Sequence, residues 1–164
     1  MNTINFKREI ADTIDHVIER VTKALAQEGF GVLTRIDMHS KIKEKTGKEI
    51  IPTVILGACN PNLAYEAYTR NSDVASLLPC NAVIREIAPG KISVELAAPS
   101  ALMQILGDVK LVELAVDADA RIKVALSNVS KPWNLIHAAG WVRFGCHGDV
   151  ELPKPFDQPR CRQI

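Results

Sequence analysis

Two Cys-Asn dipeptides are the most chemically suggestive feature of this sequence of 164 residues. They are Cys59-Asn60 and Cys80-Asn81. A cysteine thiolate is a nucleophile, a redox centre and a soft-metal ligand, and an asparagine side chain both donates and accepts hydrogen bonds. The two pairs therefore nominate Cys59 and Cys80 as catalytic thiols, and Asn60 and Asn81 as ligand-binding residues.

Cys59 stands at the end of a predicted strand, just before a predicted helix. Asn60 is a favoured N-cap residue, and Pro61 suits the first helical position because its missing N–H would be unpaired there anyway. Free N–H groups and the positive end of the helix dipole would lower the pKa of the Cys59 thiol, and they would also hold a small anion. The leading hypothesis is therefore a thiol-dependent, redox or sulfur-handling protein, or a small-anion-binding domain. Cys59 would be the attacking or sulfur-carrying thiolate, and Cys80 its resolving partner.

Whether the two sulfurs meet depends on how the chain returns between them. If the segment from 62 to 78 brings the chain back so that the two strands run antiparallel, Cys59 and Cys80 lie side by side, and this is what we expect. A disulfide would further require the two Cα atoms to lie within about 7 Å.

Two alternatives come from different classes of function. Free cysteine is among the most buried residue types, so Cys59 and Cys80 would be packing residues in a non-catalytic homodimeric ligand-binding module. In that case Asn60 and Asn81 would be caps and turn formers. The other alternative is soft-metal binding, to copper or zinc, through both cysteines. Two thiolates underfill a zinc site, so a histidine or a second subunit would have to complete it. No cofactor is predicted.

Four further residues have assignments from their positions. Gly57 interrupts a strand pattern, which indicates either a close approach by a ligand or by backbone, or a bulge. Tyr65 lies on the helix after the first pair and is assigned to ligand binding, with core or dimer surface as the alternative. Arg85 is predicted to be a solvated strand residue. Asp119 belongs to a mixed acidic and basic segment that predicts a solvated helix face.

The apolar periodicity predicts elements in the order βαβαβαββα. Continuous apolar runs indicate buried strands, and steps of three and four residues indicate helices, such as the one whose apolar stripe runs from Ile14 to Leu25 and which Gly29 ends. Ala88-Pro89-Gly90 predicts a hairpin between the last two strands. The final helix has an apolar stripe that includes Val116. The order predicts an α/β domain of the α+β type, with two layers and a mixed sheet of about five strands.

Composition excludes several classes of partner. The formal net charge of +1 gives no electrostatic basis for binding nucleic acid. No apolar run reaches the roughly 18 residues of a membrane span. The first residues lack the apolar core of a signal peptide, so a cytoplasmic location is expected, where cysteines are thiols more often than disulfides.

The chain divides near residue 127. Residues 1–127 carry the regular α/β pattern. Residues 128–164 contain both tryptophans and end in a proline-rich stretch that excludes a helix or a central strand. We therefore expect an α/β domain over 1–127 and an irregular C-terminal extension over 128–164.

Three stretches of the sequence resemble a known family. They are Glu28–Asp37, Leu56–Ala67 and Leu77–Ile84, of which the second is the most specific. Together they resemble the domain-of-unknown-function 302 family of small bacterial and archaeal proteins, over roughly residues 4–127. The resemblance implies a compact α/β fold and a homodimer. It implies no established activity, because the family is named for lacking one.

Overall fold

The computed structural model describes residues 4–129 of the chain. Two short 3₁₀ segments, Ser72–Leu77 and Gln104–Leu106, connect the regular elements. The strands are β1 (Asn5–Ala11), β2 (Gly31–Asp37), β3 (Thr53–Cys59), β4 (Cys80–Ala88) and β5 (Lys91–Ala97). The helices are α1 (Ile14–Gln27), α2 (Met38–Thr46), α3 (Pro61–Arg70), α4 (Pro99–Met103) and α5 (Val109–Val129).

The five strands form one sheet in the order β1-β5-β4-β3-β2. The predicted α+β class, element order and strand number are confirmed. The predicted mixed sheet is wrong, because every neighbouring pair is antiparallel. Helix length is the physical reason. The nine residues of α2 span about 14 Å, whereas a strand of seven residues such as β2 spans about 23 Å. The helix alone therefore does not carry the chain back along the strand, and β3 starts near the end where β2 finished.

One face of the sheet is covered by α1 and α5. Thr13 caps α1 by accepting a hydrogen bond from the His16 N–H at 3.4 Å, and Gly29 follows the helix with a φ of +82°, which favours glycine. Both layers contribute apolar residues to one core. The strands contribute alternate residues, and the helices contribute residues three or four positions apart. Val116 departs from the prediction, since it is 56% exposed despite its place in the expected apolar stripe. The fully buried residues of this core include Val17, Val21, Ile84, Ile92, Val94 and Ala125.

The opposite face, referred to below as the uncovered face, contributes no strand residue to the buried apolar clusters of the described residues. Residues two apart along a strand share a face. Ala82 and Ile84 of β4 therefore point into the core, and Val83 and Arg85 point to the uncovered face. β1 and β2 form the two edges of the sheet, and the β2 register shifts between Val32 and Thr34.

Among the described helices, none is both long enough and apolar enough to cross a membrane. The predicted C-terminal extension begins inside α5, which continues to Val129. The rest of it, from residue 130 onward, lies outside the described residues.

Candidate functional site

Asn60 joins β3 to α3 and caps the helix. Its side-chain Oδ1 accepts hydrogen bonds from the backbone N–H groups of Asn62 at 3.1 Å and Leu63 at 3.2 Å, while Pro61 occupies the first helical turn. These contacts satisfy two of the N–H groups that a helix N-terminus leaves unpaired. The alternative assignment of Asn60 as a cap is therefore confirmed, and the two N–H groups are not available to an anion.

The antiparallel pairing of β3 with β4 brings the two cysteines together. Ala58 stands opposite Cys80, so Cys80 lies one residue out of register from Cys59. Both cysteines border the same cavity, and both are free thiols. The expected proximity of Cys59 and Cys80 is confirmed.

The second members of the two pairs do not meet. Cys80 is buried, and the next residue along β4, Asn81, is exposed because alternate residues of a strand point to opposite faces. Asn81 pairs in register with Gly57 and lies toward the uncovered face. The Cys-Asn repeat in the sequence is therefore not one site in space. Cys59, Asn60 and Cys80 share a cavity on the helix side, and Asn81 lies on the other side.

Gly57 is required by the packing of protein side chains. A Cβ at this position would overlap Thr34 Oγ1 and would lie 2.7 Å from Pro79 Cγ. The close approach predicted from the sequence is present, but the approaching groups belong to the neighbouring strand β2 and to the turn before β4. The sequence gives no local signal for these partners, because Thr34 and Pro79 are more than twenty positions away on either side.

Tyr65 lies on α3 and is 70% exposed. The α3 residues that face the cavity are Leu63, Ala64 and Ala67. The structure therefore does not bring Tyr65 together with the cysteines, and the core alternative for Tyr65 is wrong.

The cavity beside the cysteines has a volume of about 40 Å³. It lies between α3, the segment containing α4, α5 and the adjoining ends of β3 and β4. Its walls are apolar apart from Asn60, and the lining that the structure describes contains no carboxylate, histidine, lysine or arginine. The lining residues are Phe30, Ala58, Cys59, Asn60, Leu63, Ala64, Ala67, Leu78, Cys80, Pro99, Met103, Leu111, Leu114, Ala115 and Ala118.

Burial sets the protonation of both thiols. It raises the pKa of Cys59, and it raises the pKa of Cys80 to about 11, with further contributions from Cys59 and Asp119. The expectation that the helix N-terminus lowers the pKa of Cys59 is wrong, because desolvation penalises the thiolate and Asn60 Oδ1 occupies N–H groups of the first turn. Both thiols are therefore protonated near neutral pH.

Sequence reasoning missed two acidic residues. Asp119 is only 8% exposed and accepts hydrogen bonds from the Ser100 backbone N–H at 3.1 Å and from Ser100 Oγ at 2.5 Å, so its predicted place on a solvated helix face is wrong. Glu95 is also only 8% exposed. Apart from Ser93, which lies on the same strand as Glu95, their bonding partners lie in other elements, so no local pattern marks these two residues.

The described residues contain no group of three or more histidine, cysteine, aspartate or glutamate side chains placed to hold a metal ion. Cys59 and Cys80 are thus two potential ligands with no third protein ligand in this part of the chain. Such a pair falls short of the four ligands of a structural zinc site.

The model of the family described as "Domain of unknown function DUF302" matches residues 6–129. The crystal structure of an uncharacterised conserved DUF302 protein from Bacillus stearothermophilus is similar, with a TM-score of 0.73 and 30% sequence identity. The similarity covers 78% of this chain and 99% of that chain. Comparison with curated proteins gives no match.

Proposed function

Since the chain belongs to the DUF302 family, whose name states no activity, we propose from the geometry that it is a non-catalytic ligand-binding module. Its binding site is the cavity beside Cys59 and Cys80, and its ligand is a small apolar molecule or the apolar end of a larger one. The observation that carries this proposal is the combination of an apolar lining with two protonated thiols.

The chemistry of the lining favours binding over catalysis. A nucleophilic thiol needs a depressed pKa or an adjacent base, and here burial raises the pKa of both thiols. No general acid or base of the described residues borders the cavity. A protonated, buried cysteine acts as a small polarizable apolar group, so the two sulfurs form part of the wall that a ligand would touch.

The size of the cavity limits the ligand. About 10–15 Å³ accommodates one water, and a cavity of about 150 Å³ binds benzene. A volume of about 40 Å³ therefore suits xenon or a short alkyl group. Because the cavity is only partly enclosed, a longer ligand would leave its remaining part outside.

Xenon and a series of 1-alkanols from ethanol to 1-hexanol are suitable probes. We expect saturable ¹H–¹⁵N shift changes at Cys59, Ala64 and Ala115, with affinity rising as the alkyl chain lengthens. Ala64→Leu and Ala115→Leu would fill the cavity and abolish these changes. Val116→Leu is the matched control on α5, because Val116 is 56% exposed and outside the cavity. Unsaturable shifts, or equal shifts in the filled variants, would show that the cavity is only a packing void.

Alkylation of the two cysteines as a function of pH separates this proposal from thiol chemistry. We expect slow reaction of folded protein at pH 7 and an apparent pKa above that of a free thiol at both positions. Rapid reaction of Cys59 with an apparent pKa below about 8.5 would instead support the thiol-dependent hypothesis.

The homodimer implied by the family resemblance stays a prediction. Light scattering on the full chain would measure the oligomeric state.

A further inference from the structure

A second and larger cavity lies on the uncovered face of the sheet. Its volume of about 520 Å³ lies within the range of about 300–1,000 Å³ typical of small-molecule sites. Its floor comes from β4 and β5, and Leu77 and Leu102 form part of its wall. We refer to it as the open-face cleft. Apart from Leu78, which borders both, its lining residues differ from those of the cavity beside Cys59 and Cys80.

The open-face cleft contains a nearly buried carboxylate. Glu95 Oε1 accepts hydrogen bonds from Arg85 Nη1 at 2.6 Å and from Ser93 Oγ at 3.0 Å, and Oε2 accepts one from Asn5 Nδ2 at 3.0 Å. Lys7 Nζ lies 3.7 Å from Oε1. A buried carboxylate is tolerated when donors of this kind surround it. Both carboxylate oxygens of Glu95 are therefore hydrogen-bonded to other side chains of the protein, and Glu95 holds Arg85 in place.

Arg85 keeps most of its donors available. A guanidinium has five N–H donors, and only Nη1 is used, on Glu95. The Arg85 side chain is 38% exposed, lines the cleft and makes no other hydrogen bond to the described residues. Arginine recognises a carboxylate through two parallel N–H···O bonds, which such an anchored and partly exposed fork is suited to form.

The charges around the cleft leave a single positive excess. Arg85 and Lys7 are opposed by Glu95 alone, while the neighbouring Glu9 is paired with Lys91 at 2.7 Å. One net positive charge in a cleft lined by both apolar and uncharged polar side chains matches a monoanion. A phosphate carries about −1.5 to −2 at neutral pH, which is more negative charge than this single positive excess offsets.

We propose that the open-face cleft binds a small monocarboxylate with an apolar body. Arg85 binds the carboxylate, the exposed Asn81 amide donates a further hydrogen bond, and Val83, Ala97 and Leu102 contact the apolar part. Glu95 is a positioning residue that orients the Arg85 guanidinium. This site does not depend on the thiol-lined cavity, which would take uncharged apolar groups.

The test is an NMR titration of the full chain with benzoate, cyclohexanecarboxylate, benzyl alcohol and inorganic phosphate. We expect both carboxylates to give saturable shifts at Asn81, Val83, Arg85 and Ala97. Benzyl alcohol should bind at least about tenfold more weakly, because it lacks the charge-assisted hydrogen bond of the carboxylate. Phosphate should also bind more weakly, because it has no apolar body and its charge exceeds the positive excess of the cleft. Shifts confined to Cys59, Ala64 and Ala115 would instead assign the probe to the thiol-lined cavity and overturn this proposal.

Two variants and a matched control identify the recognising residue. Arg85→Met should weaken benzoate binding at least about tenfold, and Arg85→Lys, which keeps the charge but loses the planar fork, should weaken it less. Arg121→Met is the control, since Arg121 is 45% exposed and likewise pairs with one carboxylate, that of Asp117. If Arg85→Met does not fold, Arg85→Lys still provides the comparison.

Equal benzoate affinity in wild type and Arg85→Lys together with tight binding of benzyl alcohol would overturn the proposal. So would a cleft already covered by a second copy of the chain, seen as concentration-dependent shifts at these residues without ligand.

Discussion

The two faces of the sheet are built from the same strands and carry opposite chemistry. On the helix side, Ile84 and Val94 are completely buried in an apolar core that ends at two protonated thiols. On the uncovered side, the adjacent residues Arg85 and Glu95 form a charge-paired network around a cleft. Because a strand turns successive side chains to opposite faces, a short sequence motif is divided between two environments. Both Cys80-Asn81 and Ile84-Arg85 show this division.

The packing difference between the faces predicts the largest effect. Ile84→Ala should lower the free energy of unfolding by about 2–5 kcal/mol, because it removes a fully buried side chain and leaves a cavity. Val83→Ala, one position earlier and only half-buried on the other face, should cost clearly less. Chemical denaturation of both variants measures the difference. Equal losses would mean that the uncovered face is as tightly packed as the core.

The close contact between β2, β3 and the turn before β4 predicts the next largest effect. Gly57→Ala should lower the free energy of unfolding by about 1–3 kcal/mol, since the new Cβ would meet Thr34 Oγ1 and Pro79 Cγ. Gly31→Ala on the edge strand is the control, because its nearest neighbour, Cys59 O, lies 4.0 Å from the added Cβ. Thermal unfolding of both variants measures the difference in their stability. If the two variants unfold alike, the strand at Gly57 has more room than the structure indicates.

The two asparagines of the Cys-Asn pairs predict a smaller contrast. Asn60→Ala should cost about 1 kcal/mol of stability through loss of the α3 cap. Asn81→Ala should change stability by less than about 0.5 kcal/mol, because Asn81 is exposed. Hydrogen exchange at the start of α3 provides a local readout and should accelerate only in Asn60→Ala. Equal acceleration in both variants would contradict the separate roles.

The buried thiol predicts the smallest effect, on the pH dependence of stability. The pKa of Cys80 is about 11 in the folded chain and 9.0 as its ordinary value. Between these values the unfolded chain binds fewer protons than the folded chain, so stability falls as pH rises. The Cys80 contribution should decrease by about 0.8 kcal/mol from pH 8 to pH 9.5. Urea denaturation at both pH values, with Cys80→Ala for comparison, measures it. An unchanged slope in the variant would contradict the assignment.

Local chemistry made much of the fold predictable. Thr13, Asn60 and Gly29 mark helix ends through backbone rules that act within a few residues, and the apolar periodicity identified all five strands. The sheet was predicted as mixed because strand direction depends on how far each connection travels, which no short motif records. The proximity of Cys59 and Cys80 followed once the strands were taken as antiparallel.

The candidate sites were less accessible from the sequence. The acceptors of long-range hydrogen bonds have no local sequence pattern. For example, the hydrogen bond from Asn5 to Glu95 joins residues ninety positions apart. Strand alternation alone separates Asn81 from Cys80, because adjacent residues of a strand point to opposite faces. The pKa of Cys59 depends on the balance between desolvation and the helix N-terminus. That balance needs the burial of the side chain, which only the three-dimensional packing supplies.

The two edge strands of the sheet affect whether molecules of this protein associate through their sheets. An edge strand offers unpaired backbone groups to the sheet of another molecule, and charges or bulges oppose such addition. β1 carries Lys7, Arg8 and Glu9 in succession, and β2 is interrupted by its register shift after Val32. Growth of the sheet into a fibril is thus opposed at both edges, by a run of charged side chains at one and by a broken register at the other.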